Sequence, residues 1–100
     1  MKRVFADSVY WIALVRPNDP WSEAARCAQQ DLGDAILFTT DEVLTEVLAA
    51  LGGGGPYLRR AAVRMARAIL DNPNIRVFQQ TREGFLKGIT RYEGREDKTV

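Results

Sequence analysis

Apolar residues fall along this chain in two alternating patterns, short continuous runs and longer stretches where they recur every three or four positions. Arg3-Val4-Phe5-Ala6-Asp7-Ser8 reads as a short strand that stops at a carboxylate and passes directly into a helix. The run from Val9 to Val15 is apolar on nearly all sides, so the helix it forms is expected to be buried between neighbours. Ser8 or Asp7 can cap it, a short side-chain oxygen accepting from an unpaired amide of the first turn. Arg16-Pro17-Asn18-Asp19-Pro20 ends it. From Trp21, the spacing of Trp21, Ala24, Ala25, Ala28 and Leu32 predicts an amphipathic helix that stops at Gly33, with Cys27 as a filler beside its apolar face.

Ala35-Ile36-Leu37-Phe38 is a short apolar run, as expected of a strand buried on both faces. Thr39 and Glu42 have capping-box spacing at the start of the next helix, whose stripe is Val43, Leu44, Val47, Leu48 and Leu51. Glu46 falls about 60° around the wheel from Val43, at the margin of that stripe. Gly52-Gly53-Gly54-Gly55-Pro56 reads as a link and not a phosphate cradle, because no Gly-Lys-Ser/Thr follows it. Leu58, Ala61, Ala62, Met65 and Ile69 form the next helical stripe, with Arg60, Arg64 and Arg67 on the opposite, solvent side. Those arginines are either a solvated face or a stripe that contacts phosphates. A turn at Asp71-Asn72-Pro73-Asn74 leads to a strand, Ile75-Arg76-Val77-Phe78. Thr81 caps a last helix with the stripe Phe85, Leu86, Ile89 and Tyr92, interrupted by Gly84 and Gly88. From Glu93 to Val100 the chain is charged and has no core face. The order β-α-α-β-α-α-β-α requires crossover connections, hence a parallel sheet and a three-layer α/β/α arrangement with helices on both faces.

Composition narrows the chemistry. One hundred residues, 46% hydrophobic, suffice for one globular domain spanning residues 1–100 and leave no room for a second. The net charge of +1 gives no bulk electrostatic case for a nucleic-acid or membrane partner, so any such site is local. One cysteine and no histidine exclude an intramolecular disulfide, a zinc-finger spacing and a histidine-based triad, which leaves carboxylates. No apolar run resembles a signal-peptide core or a membrane span, so a cytoplasmic location without a membrane partner is expected. Asp7 is the leading candidate, because ligands in open α/β sheets sit beyond the carboxyl ends of the strands.

Val4-Phe5-Ala6-Asp7-Ser8, the apolar helix containing Tyr10-Trp11-Ile12-Ala13-Leu14, Pro17-Asn18-Asp19-Pro20-Trp21, and Leu37-Phe38-Thr39-Thr40-Asp41-Glu42-Val43-Leu44-Thr45-Glu46 together resemble the PIN-domain family. That family includes the VapC-type toxins of toxin–antitoxin pairs and related metal-dependent ribonucleases. The likeness runs from Arg3 to about Lys98. It implies that Asp7 and Glu46 are the first two catalytic and metal-binding acids, with Mg²⁺ or Mn²⁺ as cofactor. Ser8 matches the hydroxyl residue that supports the first acid, and Asp41 is helix-start chemistry. The family pattern calls for a third acid in a segment resembling Ser-Leu-Thr-Asp. This chain reaches Asp97-Lys98-Thr99-Val100, and Asp97 matches the charged lead-in to that segment rather than its carboxylate.

The resemblance thus implies a PIN-like fold lacking its C-terminal strands and a ribonuclease that hydrolyses RNA phosphodiester bonds, with a cognate antitoxin as partner; the helix spacing adds Arg60, Arg64 and Arg67 as the stripe expected to steer the RNA. The alternative is a catalytically degenerate PIN-like module that acts through protein or RNA contacts. In the family's arrangement strand one lies mid-sheet, so its edge is exposed here and a homodimer is expected.

Overall fold

The computed structural model describes residues 2–79 and 81–94 of the chain; the tail around Asp97 lies outside them, as do the side chains of Arg91 and Tyr92. The elements run β1 (Arg3–Phe5), α1 (Ser8–Val15), α2 (Ser22–Leu32), β2 (Ile36–Thr40), α3 (Asp41–Gly52), α4 (Pro56–Asp71), β3 (Ile75–Phe78) and α5 (Arg82–Glu93). The expected β-α-α-β-α-α-β-α order is present. The strands form a parallel sheet in the order β1-β2-β3, with Phe5 opposite Phe38, Leu37 opposite Ile75 and Thr40 opposite Phe78.

Alternation along the strands gives the sheet two unlike faces. Ala6, Leu37, Thr39, Ile75 and Val77 face the core, where they meet Trp11 of α1, Leu44, Val47 and Leu51 of α3, and Ala62 and Ile69 of α4. The opposite face carries Arg3, Phe5, Ile36, Phe38, Arg76 and Phe78, with Phe5 and Phe78 largely exposed. Among the described residues, α5 makes no more than marginal contact with any other element.

Three local expectations are corrected. The cap of α3 is Thr40, whose hydroxyl accepts from the Val43 amide at 3.2 Å, and not Thr39 in a box with Glu42. Thr39 shares the inward phase of Leu37, so its side chain is fully buried and is used in the core. Trp21 is not part of a buried stripe. Asp19 Oδ1 accepts from the Trp21 amide at 2.8 Å, and that turn starts α2 at Ser22 and leaves the indole exposed. Cys27 is exposed rather than a filler, because α2 buries only Ala25. In α1, Trp11 and Ala13 are buried as expected, whereas Val9, in the first turn beyond the end of β1, stays half open. Gly55 holds φ +100° at the entry to α4, a backbone shape that favours glycine, and Pro56 then starts the helix.

Candidate active site at the carboxyl edge of the sheet

The pairing of β1 with β2 continues one step past the strand. The Ala6 amide donates to the Phe38 carbonyl at 2.8 Å, and the Thr39 hydroxyl donates to the Ala6 carbonyl at 3.0 Å. The same hydroxyl accepts from Trp11 Nε1 at 3.4 Å, so one buried oxygen ties the ends of both strands to α1. Asp7 and Thr40 are the next residues on each strand, and each caps the helix that follows. Asp7 Oδ1 accepts from the Tyr10 amide at 3.1 Å. The helices α1 and α3 therefore start side by side at the carboxyl edge of the sheet, and they pack against each other.

Asp7 is exposed, and among the described residues its second carboxylate oxygen has no hydrogen-bond partner. The Ser8 hydroxyl makes no hydrogen bond to it, so the orientation of Asp7 comes from the Tyr10 amide. Glu46 is exposed on α3, six residues beyond Thr40, or about 9 Å along the helix axis. Leu44, Val47 and Leu51 take the inward face, which leaves Glu46 on the flank next to Val43, as its wheel position implied. Neither acid is in an ion pair among the described residues. Nor do three Asp, Glu, His or Cys residues among them cluster closely enough to hold a metal ion. Carboxylates such as Asp7 and Glu46 are the type of donor that suits a hard, oxygen-preferring ion such as Mg²⁺ or Mn²⁺.

Beside Asp7 a cavity of about 140 Å³ opens between α2 and the end of β1, lined by Asp7 and Tyr10 with Val4, Ala28, Leu32 and Leu37. Partial burial raises the Tyr10 phenol above its usual value of 10.0, so it stays a neutral hydrogen-bonding group near pH 7. Sequence reasoning saw Tyr10 only as helix core. Its place three residues after the cap, on the turn that Asp7 closes, was the available signal.

The arginines of α4 all face solvent. Arg59, Arg60 and Arg64 line an open groove of about 480 Å³ with Pro56 and Val63, while Arg67 lies a turn further on. Arg59 was missed because it falls 100° from Arg60 on the wheel; its guanidinium also reaches the Gly52 carbonyl at 3.5 Å, at the end of α3.

No family model matches the sequence, and no curated protein matches it significantly. Among solved structures the chain is similar to VapC20 of Mycobacterium tuberculosis, a PIN-domain toxin described as cleaving the sarcin–ricin loop. The TM-score is 0.76 at 22% identity, over 97% of this chain and 72% of that one. The chain has the PIN-domain fold. At this identity the likeness carries the arrangement of elements, and in the PIN fold of this chain Asp7 stands at the carboxyl end of β1 with α3 beginning beside it.

Proposed function

We propose that the chain is a single PIN-type domain that hydrolyses RNA phosphodiester bonds with the help of a divalent metal, and that it acts in the cytoplasm as the toxin of a toxin–antitoxin pair. One observation carries the reading. Asp7 is held by its own helix cap at the carboxyl end of a strand in a PIN fold, with one oxygen uncommitted. Asp7 and Glu46 would hold Mg²⁺ or Mn²⁺. When bound, such an ion neutralises charge on the scissile phosphate and lowers the pKa of a coordinated water. Ser8 is the first residue of α1, directly after Asp7, and the Tyr10 amide rather than the Ser8 hydroxyl holds the carboxylate. Arg60, Arg64 and Arg67 draw the RNA backbone to the molecule, a sequence-independent attraction that salt weakens. The partners are RNA, a cognate antitoxin and a second copy of the chain. The open edge of β1, which pairs only with β2 among the described residues, motivates the homodimer.

Incubating the purified protein with structured RNA, with and without Mn²⁺, tests the activity. Metal-dependent cleavage that disappears in Asp7→Asn is the expected result; equal cleavage by wild type and variant would overturn the reading. A second reading, a degenerate module that binds without turnover, is favoured by the lack of a third acid near Asp7 and Glu46 among the described residues. Calorimetric titration with Mn²⁺ separates the two, since a degenerate site binds the ion no better than Asp7→Ala does.

A further inference from the structure

Helix α2 is held off the sheet beside Asp7, and the gap it leaves has apolar walls. Among the described residues α2 packs on α1 and makes no more than marginal contact with any strand. Its side toward β1 presents Ala28 and Leu32, one turn apart, and the methyl group of Ala28 is too short to close the space. Opposite stand Val4 and Leu37, register partners on the core side of the sheet. Val4, Tyr10, Leu32 and Leu37 are consequently only half-buried, although each has the phase or spacing of a core residue. The walls enclose about 140 Å³, and Asp7 forms part of them.

Size and polarity together select what fits. A cavity of about 150 Å³ accepts one benzene ring, so the space beside Asp7 takes a single six-membered ring and not two fused ones. Apolar surfaces on both sides suit the faces of a planar ring, as in sites that hold an extruded nucleobase between aromatic or aliphatic side chains. The polar groups in the wall, the Asp7 carboxylate and the Tyr10 phenol, suit the edge of that ring. Tyr10 is fixed by its neighbour, its ring edge-on to the buried Trp11 with centroids 4.9 Å apart. Among the described residues its hydroxyl has no hydrogen-bond partner, and as a neutral phenol it can both donate and accept. An apolar peptide side chain would fill the space but leave that hydroxyl unmatched.

We propose that this cavity is a base pocket that takes one pyrimidine of an RNA strand whose phosphate lies at Asp7, with Tyr10 hydrogen-bonding to the base and Ala28 and Leu32 setting the size limit. The inference rests on the ribonuclease reading of the preceding section and adds a base preference to it. A purine is excluded by its second ring, since forcing extra atoms into a filled site costs enough for a loss of affinity of about tenfold or more. A base inside the cavity is unstacked and unpaired, so the nucleotide comes from a loop or a single strand rather than a duplex. The arginines of α4 carry none of this preference, because phosphate contacts position a strand without reading its sequence.

Metal-free titration with uridine and adenosine 5′-monophosphate, followed by NMR, tests the pocket without cleavage. Uridine monophosphate is expected to shift the Tyr10 ring signals and the methyl signals of Val4, Leu32 and Leu37, and to bind at least about tenfold more tightly than adenosine monophosphate. Ala28→Met, which extends an apolar chain into the cavity from an exposed helix position, should abolish that binding, and Tyr10→Phe should weaken it about two- to tenfold. Ala24→Met, on the same helix but outside the cavity, should leave it unchanged. With Mn²⁺ and random-sequence RNA, wild-type cut sites should carry a pyrimidine beside the scissile bond, a bias that Ala28→Met loses. Equal binding of the two nucleotides, no shift with either at millimolar concentration, or an Ala28→Met chain that binds like wild type overturns the pocket. So do the same methyl shifts with a leucine-containing peptide in place of uridine monophosphate. The wild-type comparison of the two nucleotides decides if Ala28→Met does not fold. Absent cleavage with intact uridine monophosphate binding overturns the ribonuclease reading but not the pocket; cleavage without base bias overturns this inference alone.

Discussion

Replacing Thr39 by Val tests how the candidate site is held. The substitution keeps the branched shape of the side chain and removes one buried oxygen. That oxygen donates to the Ala6 carbonyl at 3.0 Å and accepts from Trp11 Nε1 at 3.4 Å, so its loss leaves an acceptor at the end of β1 and an indole N–H on a buried ring without partners. Each buried group left unsatisfied costs about 1–3 kcal/mol; the indole contact is long and belongs at the low end, giving about 2–4 kcal/mol in all. For a domain of this size that lowers Tm by roughly 10 °C or more. Thr39→Ser is the control, because it keeps the hydroxyl and loses only a methyl group, at about 1 kcal/mol. Urea denaturation followed by tryptophan fluorescence measures both. Thr39→Val within 0.5 kcal/mol of wild type, or no less stable than Thr39→Ser, would refute the clamp.

Asp7→Asn keeps a good capping side chain while Asp7→Ala loses it. The first is therefore expected to cost a few tenths of a kcal/mol and the second about 1 kcal/mol by thermal denaturation, with both reducing RNA cleavage about 10²-fold or more. Glu46→Gln, on an exposed helix flank, should leave stability within about 0.5 kcal/mol and lower Mn²⁺ affinity in calorimetry; unchanged affinity would remove Glu46 from the site. Removing Arg60, Arg64 and Arg67 together, as alanines, should weaken binding to single-stranded RNA of any sequence and reduce the slope of log K against log salt by about 2; an unaltered slope would return these residues to an ordinary solvated face. The Tyr10 phenol, raised by burial, should titrate above 10.0 in absorbance at high pH. Because the folded chain then holds a proton that the unfolded chain releases, its contribution is complete below pH 10 and is lost as pH rises through the folded value.

Residues whose role follows from a local pattern were legible in the sequence. The strand running into Asp7, the apolar stripe of α3 and the solvent side of α4 each depend on a few neighbouring positions, and each is present. The error at Thr39 shows where local reading stops. Two adjacent threonines both fit a cap, and what separates them is that Thr39 shares the phase of Ala35 and Leu37, which face the core, while Thr40 does not. Trp21 was misplaced for a similar reason, since a bulky ring at helical spacing says nothing of the Asx turn that starts α2 one residue later. The relation of Asp7 to Glu46 was less accessible still, because it depends on the register of two strands and the packing of two helices.

Asp7 is held at a thin part of the molecule. β1 has three residues and one neighbour among the described residues, so the position of the first acid rests on the Ala6–Phe38 bond, the Thr39 clamp and the cap at Tyr10. These are few contacts at an exposed edge, the kind of place where local opening costs least. Glu46, by contrast, stands on a helix with three buried anchors, Leu44, Val47 and Leu51. Any ligand that bridges the two acids therefore draws a loosely held strand end toward a firmly held helix, and its binding energy is partly spent on ordering β1.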